Sequence, residues 1–176
     1  VLGFALQDTL RNVFGGVSLI IDKNFNLGDP ILLDSGELGV VSEVGLRSTK
    51  LKTYDHEVLF VPNGQLANMK IRNYVKPNDK VRKIVEFGVV YGSNVDKVKK
   101  VVMGTLKGVK DIHGDPYMDV IFVKMNDFSL DFKARFFVEW KNAYDKYIEV
   151  TEKIYNDLNK AGIGIPFPTR TVYIKK

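Results

Sequence analysis

The sequence predicts an α+β protein that begins with one amphipathic helix and continues into two small domains of different texture. Apolar residues recur at helical spacing over residues 1–22. Short β-rich runs with closely spaced turns then extend to about residue 80, and a β-α-β-β-α order occupies residues 81–161. With 176 residues, of which 45% are apolar, the chain is long enough to bury two separate cores.

The first helix is predicted over residues 1–22, and polar side chains interrupt its apolar run. On a helical projection at about 100° per residue, one arc holds Gln7, Asp8, Arg11, Asn12, Gly15 and Ser18. The opposite side holds Leu6, Leu10, Val13, Phe14, Val17, Ile20 and Ile21. A charge at a bilayer centre costs about 2.5–3.5 kcal/mol. Three interpretations follow: a surface helix covering a soluble core, an interfacial helix, or a helix lining a polar pore.

Gly15 and Gly16 form a pair inside this helix. Each glycine costs a helix interior roughly 1 kcal/mol relative to alanine. The pair therefore predicts either close packing against a neighbouring element or a bend. It does not belong to a phosphate-binding motif, because neither G-x-G-x-x-G nor a P-loop is present.

The middle of the chain is predicted to form a small barrel or curled sheet. Its β-rich runs are Ile31–Leu33, Leu38–Leu46, Thr49–Thr53, Val58–Val61 and Ile71–Tyr74. Glycines within the second run predict a strongly bent strand, and Pro62, Asn63 and Gly64 predict a turn after the fourth. Residues 76–80 (KPNDK) predict a linker, which places a domain boundary near residue 80.

Beyond the linker, the element order predicts a ferredoxin-like α+β domain. The strands are Val81–Val90, Met118–Met125 and the alternating run Leu130–Trp140. One helix begins at a capping box, Ser93 to Asp96. A second helix, Tyr144–Ala161, has an apolar side predicted at Ile148, Thr151, Ile154, Tyr155 and Leu158. A last strand, Thr171–Ile174, either completes this sheet or pairs with copies from other subunits.

Few residues in this sequence suit catalysis. There is no cysteine, so disulfides, thiolate metal sites and cysteine nucleophiles are excluded. His56 and His113 are isolated and are assigned to turns. We therefore predict no enzymatic activity, no cofactor and no metal site.

Basic residues cluster once, around the linker, in a chain of net charge +5. The cluster contains Lys70, Arg72, Lys76, Lys80, Arg82 and Lys83, with Tyr74 among them. Such a cluster fits a solvated hinge, a nucleic-acid-binding surface or a surface that filters ions. The residues alone do not choose among these three.

Several short motifs together resemble the small-conductance mechanosensitive (MscS-type) channel family. They are FALQDTLRNVFGG (4–16), F-x-x-G-D (25–29), G-x-V (39–41), Ser48-Thr49, V-P-N-G (61–64), Asn73-Tyr74 and G-I-x-x-P-x-P within residues 162–168. In this order and spacing the motifs are specific, and they span essentially the whole chain.

The resemblance implies a tension-gated channel that releases solutes on hypo-osmotic shock. It implies four regions: the end of a pore-lining transmembrane helix (1–22), an Sm-like β domain (23–80), the ferredoxin-like domain (81–165) and a strand of an intersubunit barrel (166–176). The chain is expected to begin inside the pore helix. The implied partners are copies of itself in a homoheptamer, membrane lipids, and permeating ions and small solutes, without nucleic acid. The intact protein is expected to be a multi-pass membrane protein whose residues 1–176 are mostly cytoplasmic.

The resemblance also implies roles for particular residues. Phe4 stands at a constriction position, facing the pore axis with Gln7 or Asp8. The alternative for Phe4 is an aromatic residue packed against lipid or a neighbouring subunit. Because Asp8 replaces the small residue at the family's usual bend, the bend is expected to move to Gly15 and Gly16 or to be set by packing. Charges at the vestibule are expected from Lys70, Arg72, Lys76 and Arg82. Two alternatives remain: a soluble Sm-like nucleic-acid-binding protein, and a scaffold retained from a channel that no longer gates.

Overall fold

The computed structural model describes residues 2–114, 117–170 and 172, with the backbone alone for residues 2–5. The chain divides into two compact units, Val1–Asp79 and Lys80–Lys176. The first contains one long helix, a one-turn helix and a five-stranded sheet, and the second contains two α-helices on a three-stranded sheet. The predicted α+β class is confirmed. The finer predicted limits at residues 22, 80 and 165 stay predictions.

The first unit opens with a single helix, α1 (Leu2–Asp22). Its strands are β1 (Pro30–Leu33), β2 (Leu38–Val44), β3 (Ser48–Thr53), β4 (Val58–Pro62) and β5 (Ile71–Asn73). All pairs are antiparallel, in the order β4-β3-β2-β1-β5. Inward side chains such as Ile31, Leu51 and Leu66 are fully buried and form the core.

Two local predictions in this unit need correction. Strand β2 ends at Val44 rather than Leu46, after a bulge between Val41 and Glu43, because the chain turns where the Gly45 N–H donates to the Ser48 carbonyl (3.0 Å). The predicted turn at Pro62–Gly64 is wrong, because Asn63 begins a one-turn helix, α2 (Asn63–Leu66). Its hydrogen bond runs from the Ala67 N–H to the Asn63 carbonyl (2.9 Å).

The second unit has the predicted ferredoxin-like order. It comprises β6 (Lys80–Val89), α3 (Val95–Lys107), β7 (Asp119–Met125), β8 (Leu130–Glu139), a 3₁₀ turn (Trp140–Asn142) and α4 (Ala143–Lys160). Strand β8 lies between β6 and β7 and pairs antiparallel with both. Along β8, fully buried residues alternate with half-buried ones, as its sequence predicts. The buried members face a core shared with α3 and α4.

Both helices of this unit differ from the sequence prediction in detail. The N-cap of α3 is Asn94 instead of Ser93, because the Asn94 side chain accepts the Lys97 N–H (2.9 Å). In α4 the buried residues are Ala143, Val150, Ile154 and Leu158, whereas Ile148 and Tyr155 are 47% and 56% exposed. The apolar side of α4 was therefore predicted too wide and partly on the wrong face.

After α4 the chain reverses at Gly162, whose positive φ of 70° suits glycine. The Gly164 carbonyl then accepts the Val90 N–H (3.0 Å), which fixes this segment against the end of β6. Of the predicted strand Thr171–Ile174, all but residue 172 lies outside the described residues, so that strand stays a prediction. Within the described part of the chain, no helix combines the length and apolar character needed to cross a membrane.

Candidate functional site: the contact between α1 and the first sheet

Helix α1 packs on its own unit with its small and polar side. Gly15, Gly16 and Leu19 are buried and Asn12 is half-buried. The apolar side points away from the sheet, so that Phe14 is 67% and Ile21 71% exposed. A helix that covered a soluble core would show the reverse arrangement. The apolar side of α1 therefore does not cover the core of its own unit, and it forms an exposed apolar surface along the helix.

The two glycines of α1 allow its backbone to approach the backbone of α2 more closely than any residue with a side chain would permit. A Cβ atom added at Gly15 would lie 2.7 Å from the backbone nitrogen of Gly64 and 2.8 Å from the carbonyl oxygen of Asn63. A Cβ at Gly16 would lie 2.6 Å from the Asn63 side-chain nitrogen. A Cβ at Gly64 would approach Cγ of Arg11 to 2.9 Å. Glycine on both partners is therefore the condition for this crossing of α1 and α2.

Asn63 is the buried polar centre of the contact. Its Oδ1 accepts from the Thr49 hydroxyl (2.9 Å), and its Nδ2 donates to the carbonyls of Gly45 (2.9 Å) and Leu46 (3.2 Å). Its own N–H donates to the Arg47 carbonyl (2.9 Å). Since a buried amide without partners is costly, these bonds fix one position for the β2–β3 turn beneath α1.

A second asparagine joins the helix to α2 directly. The Asn12 Oδ1 accepts the Gly64 N–H (3.0 Å). In the first turn of α2, this N–H has no acceptor within its own helix. The Asn12 Nδ2 donates to the Asp8 carbonyl one turn back (2.9 Å). Beside this bond lies an open polar cleft of about 500 Å³, lined in part by Asp8, Asp34 and Asn68.

The C-terminal end of α1 is tied to the exit of β5. Asn73 Nδ2 donates to the Asp29 carboxylate (2.8 Å) and to the Asn24 carbonyl (3.2 Å). The same carboxylate accepts the Asn26 N–H (2.9 Å), and the Lys76 ammonium donates to the Lys23 carbonyl. Helix α1 is thus held to α2 at Asn12, and the chain just past its last turn is held to β5.

The predicted gate and bend residues lie along this helix. Phe4 is among the residues whose side chains are not described. Gln7 and Asp8 are exposed, and Asp8 lines the polar cleft. Gly15 and Gly16 lie inside one uninterrupted helix and serve packing here. Their role as a bend stays a prediction.

The predicted vestibule charges fall in both units. Lys70 and Arg72 are exposed on the first unit, and Lys76 makes the bond to Lys23 described above. In the second unit, Arg82 is exposed and donates to the Tyr117 hydroxyl (2.8 Å). Since the four residues are divided between the two units, their grouping as vestibule charges stays a prediction.

The Tyr117 ring also lies under Arg135, whose guanidinium carbon is 5.2 Å from the ring centre. Arg135 makes a bidentate ion pair with Asp119, with its Nε 2.7 Å from Oδ1. This hydrogen bond lowers the pKa of Asp119 below its ordinary value of 3.8, although partial burial opposes the shift. Among the described residues, no cluster of His, Asp or Glu could hold a metal ion.

Sequence reasoning missed the importance of Asn12, Thr49, Asp29 and Asn73 as hydrogen-bonding partners. All four occur in the motifs that carry the family resemblance. An asparagine on the small-residue side of α1 was a usable signal, since a polar group there must find a partner if that side is buried.

Comparisons with known proteins agree along the whole chain. The family model described as "Mechanosensitive ion channel, beta-domain" matches residues 8–76, which include the entire α1 contact. A second model, "Mechanosensitive ion channel MscS, C-terminal", matches residues 84–165. The chain belongs to the mechanosensitive ion channel family. The predicted resemblance is confirmed.

Individual relatives support the same assignment. The small-conductance mechanosensitive channel MscMJ of Methanocaldococcus jannaschii is 34% identical, over 99% of this chain and 51% of that protein. The large-conductance channel MscMJLR of the same organism is 30% identical, over 99% of this chain and 50% of that protein. The chain thus spans about half the length of these channel relatives.

Solved structures show the same fold. The crystal structure of Helicobacter pylori MscS in its closed state matches with a TM-score of 0.90 and 28% identity, covering 99% of this chain and 69% of that one. Arabidopsis thaliana MSL1 matches with a TM-score of 0.78 at 19% identity, over 96% and 62% of the two chains, and shows the fold alone. The comparisons give no support to the alternative of a soluble nucleic-acid-binding protein.

Proposed function

We propose that the intact protein is a tension-gated mechanosensitive channel that releases solutes on hypo-osmotic shock. In it, α1 is the inner end of the pore-lining helix and the two units form the vestibule wall. The observation that carries this proposal is the orientation of α1, which packs on α2 and on the β2–β3 turn of its own unit through Asn12, Gly15 and Gly16. Its apolar side is left for lipid or for neighbouring membrane helices.

The contacts of α1 suit a helix that has to move with its domain. Tension favours whichever state occupies more membrane area. Because α1 is bonded at Asn12 and again beyond its last turn, a displacement of the helix is passed to the sheet. In the closed state a constriction at Phe4, with Gln7 or Asp8 on the same arc, excludes water and therefore ions. In this proposal the pore-lining helix bends at Gly15 and Gly16.

The proposal includes assembly and location. The channel is a homoheptamer in the cell membrane, in contact with lipids, and residues 1–176 lie mostly on its cytoplasmic side. The strand predicted at residues 171–174 closes a barrel between subunits. Ions and small solutes pass through the vestibule. Neither nucleic acid binding nor enzymatic activity is assigned, because the matching relatives are named as channels.

Patch-clamp recording of the full-length protein under graded suction tests the proposal. We expect currents that appear only above a threshold tension in membranes that lack other such channels. Cells carrying the protein should survive a hypo-osmotic shock that kills cells without it. A full-length protein that reaches the membrane and passes no current at any tension short of rupture would contradict the proposal and favour a retained scaffold.

A threshold test addresses the gate. Phe4→Ser should lower the gating tension, because a hydroxyl can hold water where a dry ring is needed. Leu10→Ser, on the apolar side of the helix, is the matched control. An unchanged threshold in Phe4→Ser would remove Phe4 from the gate without touching the channel assignment.

A further inference from the structure

The β2–β3 turn carries an exposed leucine beside α1. This turn, residues 45–47, is pinned by the bonds from Asn63 to the carbonyls of Gly45 and Leu46. A Cβ on Gly16 of α1 would lie only 3.1 Å from the Leu46 carbonyl oxygen. The position of Leu46 relative to α1 is therefore set by backbone contacts and a buried side chain.

Leu46 is the most exposed leucine in the described part of the first unit, at 74%. Ile20 lies one helical turn beyond Gly16 and is 61% exposed, so the helix presents an exposed apolar residue one turn from the point where the Leu46 backbone meets it. An exposed apolar surface built from two elements indicates an interaction site.

The charges around this surface favour a lipid bilayer as its partner. Arg47 follows Leu46 directly, Lys23 follows α1, and both are exposed. Within the described residues neither makes an ion pair with an acidic side chain. Glu43, four residues before Arg47 in the sequence, is already paired with Lys50 (2.6 Å). On the helical projection, Asp8 and Asp22 lie on the polar arc, away from the apolar side. Apolar residues edged by cations bind anionic membrane surfaces.

We propose that the β2–β3 turn is a second membrane contact of this protein. Leu46 enters the boundary between headgroups and acyl chains beside α1, and Arg47 binds lipid phosphate. The inference rests on the proposed function, which puts α1 at the membrane, and it adds a direct lipid contact to the β domain. Asn63 then has a further role, since it holds the lipid-contacting turn against the helix.

The absence of cysteine from the sequence allows a direct test. The 176-residue chain is given a single cysteine by Leu46→Cys, labelled with the polarity-sensitive dye NBD, and mixed with vesicles of phosphatidylcholine and phosphatidylglycerol. Tyr54→Cys is the matched control, because Tyr54 is also exposed (58%) but follows the opposite end of β3. Ile20→Cys reports on α1 itself.

We expect NBD emission to rise and shift to the blue at positions 46 and 20 but not at position 54. A response at 20 alone would assign lipid binding to the helix and overturn the proposal. A response at all three positions would mean non-specific adsorption, and no response anywhere would mean that this surface does not bind lipid. Either result would also overturn it.

Vesicle sedimentation provides an independent measurement without a label. Leu46→Glu should weaken partitioning by about tenfold, since it places a charge where a leucine enters the membrane boundary. Arg47→Gln should weaken it on anionic vesicles and leave it unchanged on pure phosphatidylcholine. Equal partitioning of all three proteins would contradict a contact at the turn. These assays do not require the channel to open. A lipid response in a protein that passes no current would therefore contradict the channel proposal and leave the lipid contact standing.

Discussion

At the scale of single residues, the crossing of α1 and α2 depends on glycines, because a Cβ atom at these positions would collide with the facing helix. Gly15→Ala should destabilise the first unit by about 1–3 kcal/mol, because the new methyl group would lie 2.7 Å from the Gly64 nitrogen. The backbone of α2 cannot yield as a flexible side chain could. Hydrogen exchange of the β1–β5 amides measures this loss without interference from the second unit.

Gly104→Ala supplies the matched control, since Gly104 also lies inside a helix but a Cβ added there would meet nothing within 4 Å. Alanine there should stabilise α3 by about 0.5–1 kcal/mol through helix propensity. If Gly15→Ala stabilised its unit to the same extent, the close approach of α1 and α2 would be refuted.

The ion pair of Asp119 and Arg135 predicts a pH dependence at the same scale. The pKa of Asp119 is lowered in the folded protein by its hydrogen bond from Arg135. Its stabilisation is therefore complete above the unfolded value of about 4 and is lost as the pH falls through the lowered pKa. Asp119→Asn should unfold at lower urea than the parent at pH 7, and the difference should shrink toward pH 2.

Fluorescence of Trp140, the single tryptophan, follows unfolding of this unit. Lys141→Gln is a suitable control, because its partner Glu139 lies on the same strand as Arg135 but the lysine is largely exposed. A constant difference in urea midpoint between Asp119→Asn and the parent at every pH would exclude a contribution of Asp119 to the pH dependence of stability.

At the scale of elements, α4 shows which of its apolar residues carry stability. Ile154→Ala should cost about 2–5 kcal/mol, because Ile154 is buried in the core that α4 shares with the sheet and α3. Ile148→Ala, on the same helix and with the same chemical change, should stay within about 0.5 kcal/mol. Urea unfolding monitored by Trp140 compares the two, and equal losses would mean that α4 buries a different face.

The same helix shows how far its sequence could predict its packing. The strand and helix order of the second unit followed from periodicity, and the alternation in β8 was predicted residue by residue. In α4, however, Ile148 and Tyr155 extend the apolar side beyond what three strands and one helix can cover. Periodicity locates an apolar stripe, but the width of the stripe that is buried depends on the partner.

For the contact between α1 and the first sheet, prediction from the sequence was limited by a different factor. The sequence predicted close packing or a bend at Gly15 and Gly16, and the packing is observed. It could not predict which surface they meet, because that surface, Asn63 and Gly64, lies about fifty residues away and was interpreted as a turn. That α1 packs with its small and polar side and exposes its apolar side depends on the same distant partner. The gate at Phe4 stays a prediction.

At the scale of the whole molecule, the basic residues near the linker predict an effect on permeation. If Lys70, Arg72, Lys76 and Arg82 face the vestibule, they raise the local anion concentration over a Debye length, about 8 Å at physiological salt. Changing all four to glutamine in the full-length channel should shift the reversal potential toward cations at low ionic strength. Near 1 M salt the shift should largely disappear.

A set of four lysines on α3, Lys97, Lys99, Lys100 and Lys107, controls for net charge alone. An equal shift from both sets would indicate a general charge effect. An unchanged reversal potential at low salt would leave the linker residues as a solvated hinge. Loss of a salt-sensitive RNA mobility shift in the quadruple variant would instead point to nucleic acid.

The central position of β8 sets an order of events during synthesis. Its partner β6 lies 41 to 59 residues earlier, from the pair Val89 and Leu130 to the pair Lys80 and Glu139. At about 5–20 residues per second, β6 therefore waits roughly 2–12 s after translation before it can pair. Every strand pair of the first unit is complete by Asn73. Helix α1 can thus be docked on its own unit while the second unit is still being made.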